Sequence, residues 1–107
     1  MTTLSTHVLD TSLGKPAGGI RVTLLRGDQV CGEAITDDDG RARNFAKGPL
    51  ESGEYRLRFE VLPYFRLTDR EAFYRTITID FIVRAADEHY HVPVLLNPYG
   101  YSTYRGS

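Results

Sequence analysis

Three histidines and two arginines carry the chemistry this chain could offer: His7, His89, His91, Arg41 and Arg105. His89 and His91 flank Tyr90, so in an extended strand both imidazoles project from one face, opposite the tyrosine. A histidine of near-neutral pKa can take a proton from water. Two imidazoles at that spacing also form half of a metal site, and with His7 they would match the three-histidine set of some catalytic zinc centres. Arg41 follows the acidic turn Asp37-Asp-Asp-Gly40. There it is either a local ion pair or a planar fork for a carbonyl or anionic oxygen. The acidic turn itself lacks the length and the closing glutamate of a calcium loop. The chain has no G-x-S-x-G, no phosphate loop and no Cys/His nucleophile pattern. Each histidine also has a plain reading, as a solvated residue on a wet sheet face.

The last nine residues, Tyr99-Gly-Tyr-Ser-Thr-Tyr-Arg-Gly-Ser107, do not resemble a fraying end. Three tyrosines need packing surface and partners for their hydroxyls. The segment reads as a final strand that builds part of a site.

Period-two alternation along most of the chain predicts the strands that must hold these groups. Thr3–Leu9 is the first, with Leu4, Thr6 and Val8 on one face and Ser5, His7 and Leu9 on the other. A Gly/Pro-rich loop spans 10–19. Strands over 20–25 and 29–36 are joined by the hairpin signal Arg26-Gly-Asp28. A short strand over 41–45 follows the acidic turn, whose Asp and Gly residues suit turns. Residues 54–61 alternate most cleanly, with Tyr55, Leu57, Phe59 and Val61 facing in. Thr68 and Glu71 form a capping box, which predicts the one short helix at about residues 68–74. Residues 76–83 and 89–96 are further strands, separated by a polar link over 84–88. The pattern predicts an all-β fold, an antiparallel sandwich of about 100 residues.

Composition narrows the partners. The chain has 41% hydrophobic and 25% charged residues, ordinary for a globular protein, and a net charge of −1. That charge gives no electrostatic footprint for nucleic acid or an anionic membrane. Cys31 is alone, so no internal disulfide is expected. No apolar run approaches the roughly 20 residues of a membrane span. With no signal-peptide pattern at the start, the expectation is one cytoplasmic domain over residues 1–107.

Four segments together carry a resemblance. Ser5-Thr-His-Val-Leu-Asp10, Gly14-Lys-Pro-Ala17, Thr36-Asp-Asp-Asp-Gly-Arg41, and His89-Tyr-His-Val-Pro-Val-Leu-Leu96 running into the tail are similar in order and spacing to the motifs of the 5-hydroxyisourate hydrolases, the transthyretin-related family of urate breakdown. Val94 and Asn97 stand where the family pattern has leucine and serine. The resemblance implies a transthyretin-like eight-stranded antiparallel β-sandwich with one short helix, assembled as a homotetramer, a dimer of dimers. It implies hydrolysis of 5-hydroxyisourate without metal or cofactor. The site residues it implies are His7, Arg41, His91 and Ser107 for catalysis, with His7, Arg41, Tyr104 and Arg105 binding substrate. A transthyretin-like binding module without catalysis would share the sandwich but need not keep those side chains or the tail. A zinc hydrolase built on His7, His89 and His91 is a third reading.

Overall fold

The computed structural model describes residues 2–84 and 88–107. Two sheets face each other. One takes β1 (Thr3–Asp10), β2 (Lys15–Pro16), β5 (Arg41–Arg43), β8 (His89–Asn97) and β9 (Gly100–Thr103); the other takes β3 (Arg21–Arg26), β4 (Gln29–Ile35), β6 (Gly53–Glu60) and β7 (Thr76–Val83). The first runs β2-β1-β8-β9, with β5 also pairing β1; the second runs β4-β3-β6-β7. The expected sandwich and all eight expected strands are present. The two-residue β2 is an addition inside the segment read as a loop.

Alternation decides which side chains meet between the sheets. Leu4 and Val8 of β1, Val22 and Leu24 of β3, Leu57 and Phe59 of β6, and Val94 and Leu96 of β8 are all buried in one core. On β7 only Ile77 and Val83 of the alternating apolar set Ile77, Ile79, Phe81 and Val83 are fully buried, because this strand forms the sheet edge and leaves Ile79 and Phe81 half-covered.

Two expectations are corrected. The pairing of β1 with β8 is parallel, in register from Thr3 opposite His89 to Asp10 opposite Leu96, whereas every other described strand pair is antiparallel. A parallel pair needs a long crossover, and here most of the chain lies between the two strands. The helix lies at Leu62–Leu67, not at about 68–74. Pro63 opens it, where its missing N–H costs nothing, and Tyr64 and Phe65 bury against the core. Thr68 closes this helix instead of starting one. Asp69 takes a left-handed φ of 55°. The Asp69 N–H bonds the Arg66 carbonyl at 3.1 Å and the Arg70 N–H bonds the Phe65 carbonyl at 3.0 Å. That is the Schellman closure of a helix C-terminus. The capping-box spacing at Thr68 and Glu71 therefore coincides with an end, because the apolar residues that could anchor a helix precede it. Part of the polar link over 84–88, residues 85–87, lies outside the described residues.

A buried polar clamp fastens the helix to the sheet. Asp10, fully buried at the end of β1, accepts hydrogen bonds from the Tyr64 hydroxyl at 2.7 Å and from Arg70 Nη2 at 2.6 Å. Its other oxygen accepts from the Ser12 hydroxyl at 2.7 Å and from the Ser12 and Leu13 N–H groups, both at 3.1 Å. Burial alone would raise the Asp10 carboxyl. The hydrogen bonds from Arg70, Tyr64, Ser12 and Leu13 outweigh it and hold the group well below the usual carboxylate range. The Tyr64 hydroxyl, buried beside that carboxylate, is pushed up to about 12.

Candidate active site

The outer face of the β5-β1-β8 layer collects the predicted groups. In the antiparallel β1–β5 pairing His7 stands opposite Arg41, and in the parallel β1–β8 pairing Ser5 stands opposite His91. Each of these alternates with a buried neighbour: Leu4, Thr6 and Val8 on β1, Ala42 on β5, Tyr90 and Val92 on β8. The period-two pattern thus sends His7, Arg41, His89 and His91 to the same side, away from the core.

Arg41 is set in place by the acidic turn. Asp37 Oδ1 accepts the N–H groups of Asp39 and Arg41, both at 2.9 Å, and the Asp37 N–H bonds the Arg41 carbonyl at 2.9 Å. Gly40 has φ of 76°, and a Cβ there would lie 2.3 Å from the Val8 carbonyl oxygen. Only glycine allows the turn to dock on β1, where the Val8 N–H bonds the Gly40 carbonyl at 2.7 Å. The Asp37 carboxyl is spent on this turn; the Arg41 N–H, more than any other partner, holds it below its ordinary value. Among the described residues Arg41 makes no ion pair, so its guanidinium remains for a ligand.

His91 is half-buried, and its pKa is pushed below the ordinary histidine value. Burial is the main cause, followed by the positive field of Arg41 and then the neighbouring His7 and His89. The neutral ring, which can accept a proton, is thereby favoured near pH 7. Ser5 and His89 complete the cluster: residue types suggest His89 only as a metal ligand, and they give Ser5 no role. Ser5 Oγ lies 2.7 Å from His91 Nδ1 and 2.8 Å from His89 Nε2. His89 Nδ1 in turn lies 2.5 Å from Thr3 Oγ1. The signal for Ser5 was its alternation with Leu4 and Thr6, which shares a face with His7.

The tail behaves in two ways. β9 pairs with β8 as expected. Beyond it the chain crosses back over His91: Gly106 bridges that residue, its N–H bonding the His91 carbonyl at 2.8 Å. A Cβ on Gly106 would sit 2.5 Å from His91 Cδ2 and 3.1 Å from Pro93 Cγ. Glycine is therefore what lets the tail lie against the imidazole; Ser107, the next residue, is exposed. Tyr104 and Arg105 turn the other way. Arg105 pairs with Glu88 at 3.0 Å and lays its guanidinium over the Tyr90 ring, 4.4 Å from the centroid. Together with Tyr104 it lines a cavity of about 290 Å³ whose other walls include Ile79, Phe81 and Val92. Within one chain, then, His7, Arg41 and His91 share one face with Gly106 laid against His91, and Tyr104 and Arg105 do not join them.

The face offers general acid–base groups and a cation for a polar small molecule. No group of three or more His, Cys, Asp or Glu side chains among the described residues is placed to hold a metal ion, so the zinc reading has no donor set.

Comparisons with known proteins place the chain in a family. A 5-hydroxyisourate hydrolase of Caulobacter vibrioides is 45% identical, with both chains covered in full. The structure of the Klebsiella pneumoniae 5-hydroxyisourate hydrolase superimposes with a TM-score of 0.91 at 41% identity, covering 100% of this chain and 94% of that one. Sea bream transthyretin, solved in complex with thyroxine, is similar at a TM-score of 0.88 and 24% identity over 96% of this chain and 93% of that one; this likeness shows the fold alone. The model of the HIUase/Transthyretin family matches residues 4–106, and the chain belongs to that family.

Proposed function

We propose that this protein hydrolyses 5-hydroxyisourate to 2-oxo-4-hydroxy-4-carboxy-5-ureidoimidazoline in urate degradation. The observation that carries the reading is the meeting of His7, Arg41 and His91 on one outward face, with the tail laid across His91. The full-length similarity to hydrolases of this substrate supports it. A transthyretin-like carrier would have no need of two imidazoles and an arginine without an ion pair among the described residues at this place.

The residues divide the work as follows. One of His7 and His91 takes a proton from water, and the resulting hydroxide adds to a carbonyl of the six-membered ring. The other histidine orients the substrate or returns the proton to the ring nitrogen as the C–N bond breaks. Arg41 grips the carbonyl oxygen in a fixed fork and stabilises the charge that develops there. After burial, its positive field also favours the neutral form of the neighbouring His91, the form a base requires. Ser107, by side chain or terminal carboxylate, closes the pocket.

An open sheet face becomes a pocket only when covered. The reading therefore includes a homotetramer, a dimer of dimers, in which a second subunit closes the face and Tyr104 and Arg105 reach substrate; symmetric assemblies pair a surface with its own copy. The reading also takes the protein to work in the cytoplasm. Among the described residues no helix is long and apolar enough to cross a membrane. The test follows the ultraviolet absorbance of freshly made 5-hydroxyisourate. Decay accelerated in proportion to added protein is expected, and decay no faster than in buffer would end the reading.

A further inference from the structure

The hydrogen bonds around His91 form an unbroken line: Thr3 Oγ1, both nitrogens of His89, Ser5 Oγ, and His91 Nδ1, at spacings of 2.5, 2.8 and 2.7 Å. Ser5 sits at the middle and is only 7% exposed, whereas His89 is exposed at the start of β8. With Nδ1 turned to Ser5, Nε2 is the nitrogen His91 presents to a substrate.

Proton counting gives this line a property that no single contact has. A neutral imidazole carries one N–H, and a hydroxyl carries one O–H. If His91 donates from Nδ1 to Ser5, the Ser5 hydroxyl is free to donate to His89 Nε2. Neutral His89 then holds its proton on Nδ1 and donates to Thr3. In that direction His91 Nε2 is bare and can act as a base. In the reverse direction Thr3 donates to His89 Nδ1, His89 Nε2–H donates to Ser5, and Ser5 donates to His91 Nδ1. His91 Nε2 then carries the proton and can act as an acid.

We propose that Thr3, His89 and Ser5 form a hydrogen-bonded relay that fixes the tautomer of His91 and carries a proton between its ring and the solvent-exposed start of β8. The proposal deepens the hydrolase reading and rests on it for its catalytic meaning. The step balances. As His91 Nε2 takes a proton from water, its Nδ1 proton passes to Ser5, the Ser5 proton to His89 Nε2, the His89 Nδ1 proton to Thr3, and the Thr3 proton to solvent. The relay then stands in its reverse direction with both rings neutral, and His91 holds on Nε2 the proton a leaving nitrogen needs. Keeping the rings neutral matters here, because Arg41 on β5, His7 on β1 and His89 on β8 all bear on His91 and oppose a lasting imidazolium. Ser5 and His89 are thus positioning residues.

The test has two arms on the full chain. Long-range ¹⁵N–¹H spectra of histidine-labelled protein report the tautomer of each ring without substrate. His89 and His91 are expected to show matched tautomer populations, which Ser5→Ala uncouples and Ser5→Thr restores. With 5-hydroxyisourate, Ser5→Ala and His89→Gln should each lower kcat about tenfold or more with KM changed less than about twofold, since a proton path and not a binding contact is lost. His89→Gln lies at an exposed position and serves if Ser5→Ala does not fold. Unmatched tautomers in the unaltered protein, or unchanged tautomers and kcat in the variants, would overturn the relay. Matched tautomers that Ser5→Ala uncouples, in a protein that turns over no 5-hydroxyisourate, would uphold the relay and remove only the hydrolase reading.

Discussion

Two polar clusters sit on the strand β1, three residues apart, and they are built on opposite plans. At Asp10 the carboxylate is fully buried, and Arg70, Tyr64, Ser12 and the Leu13 N–H are all turned on it. At His7 the neighbours are Arg41 across one strand pair and, beyond Ser5, His91 across the other, without a carboxylate among the described partners that shift His91. Both clusters contain displaced pKa values. In the first, the displacement stabilises a charge that is already paired, which marks a structural fastening. In the second, burial and like charge disfavour the protonated form and leave a neutral ring beside a guanidinium that makes no ion pair among the described residues, the pattern expected of a functional site. The size of a pKa shift therefore says little about function; its cause says a good deal.

Substitutions should separate the two plans cleanly. The largest effect is expected at the clamp. Asp10→Ala leaves Arg70 without its partner and should cost about 3–5 kcal/mol of stability, read by denaturant unfolding. The material that stays folded should retain its turnover per molecule; a selective loss of turnover would merge the clusters into one. Next come His7→Ala and Arg41→Ala, each lowering kcat/KM about a hundredfold or more while unfolding midpoint and oligomer size hold. Unchanged turnover in either variant would remove that residue from the site. Deleting Tyr104 to Ser107 should leave a folded oligomer with little activity, whereas loss of folding would make the tail a structural strap. Gly106→Ala is the finer version, since a single methyl meets the His91 ring. It should lower turnover more than stability.

The smallest effect is in pH. Asp10 has a depressed pKa, so its stabilisation is present above the unfolded carboxyl value of about 3.9 and is lost as pH falls below it. Asp10→Asn should flatten that acid limb of the stability curve. His91, also depressed, stays neutral in the folded protein below about pH 6.5, where the unfolded chain already takes up a proton. Stability should therefore drop slightly as pH falls through that range, while activity persists to lower pH than an ordinary histidine would allow. An activity profile that breaks at or above the ordinary histidine value would argue against His91 as the base.

Local pattern carried much of this molecule. Alternation along β1 and β8 determined that Leu4, Thr6, Val8, Tyr90 and Val92 turn inward and that His7 and His91 turn outward, because a strand has only two faces. The Asp-Asp-Asp-Gly spacing announced the turn that presents Arg41, and the aromatic tail announced a last strand. The helix departs from local pattern: the capping spacing at Thr68 competes with the apolar anchors Tyr64 and Phe65, and burial decides for Leu62–Leu67.

Pairing was beyond the reach of pattern. A strand's alternation is the same whichever neighbour it has and whichever way that neighbour runs. Only the tertiary structure could set β1 beside β8 in parallel, Ser5 opposite His91 and His7 opposite Arg41. It alone sent Arg105 to Glu88 and Tyr90 and laid Gly106 over the His91 ring. Residue types and faces are local properties of the chain; which faces meet, and in what register, is decided by contacts between residues far apart in the sequence, 86 positions for Ser5 and His91.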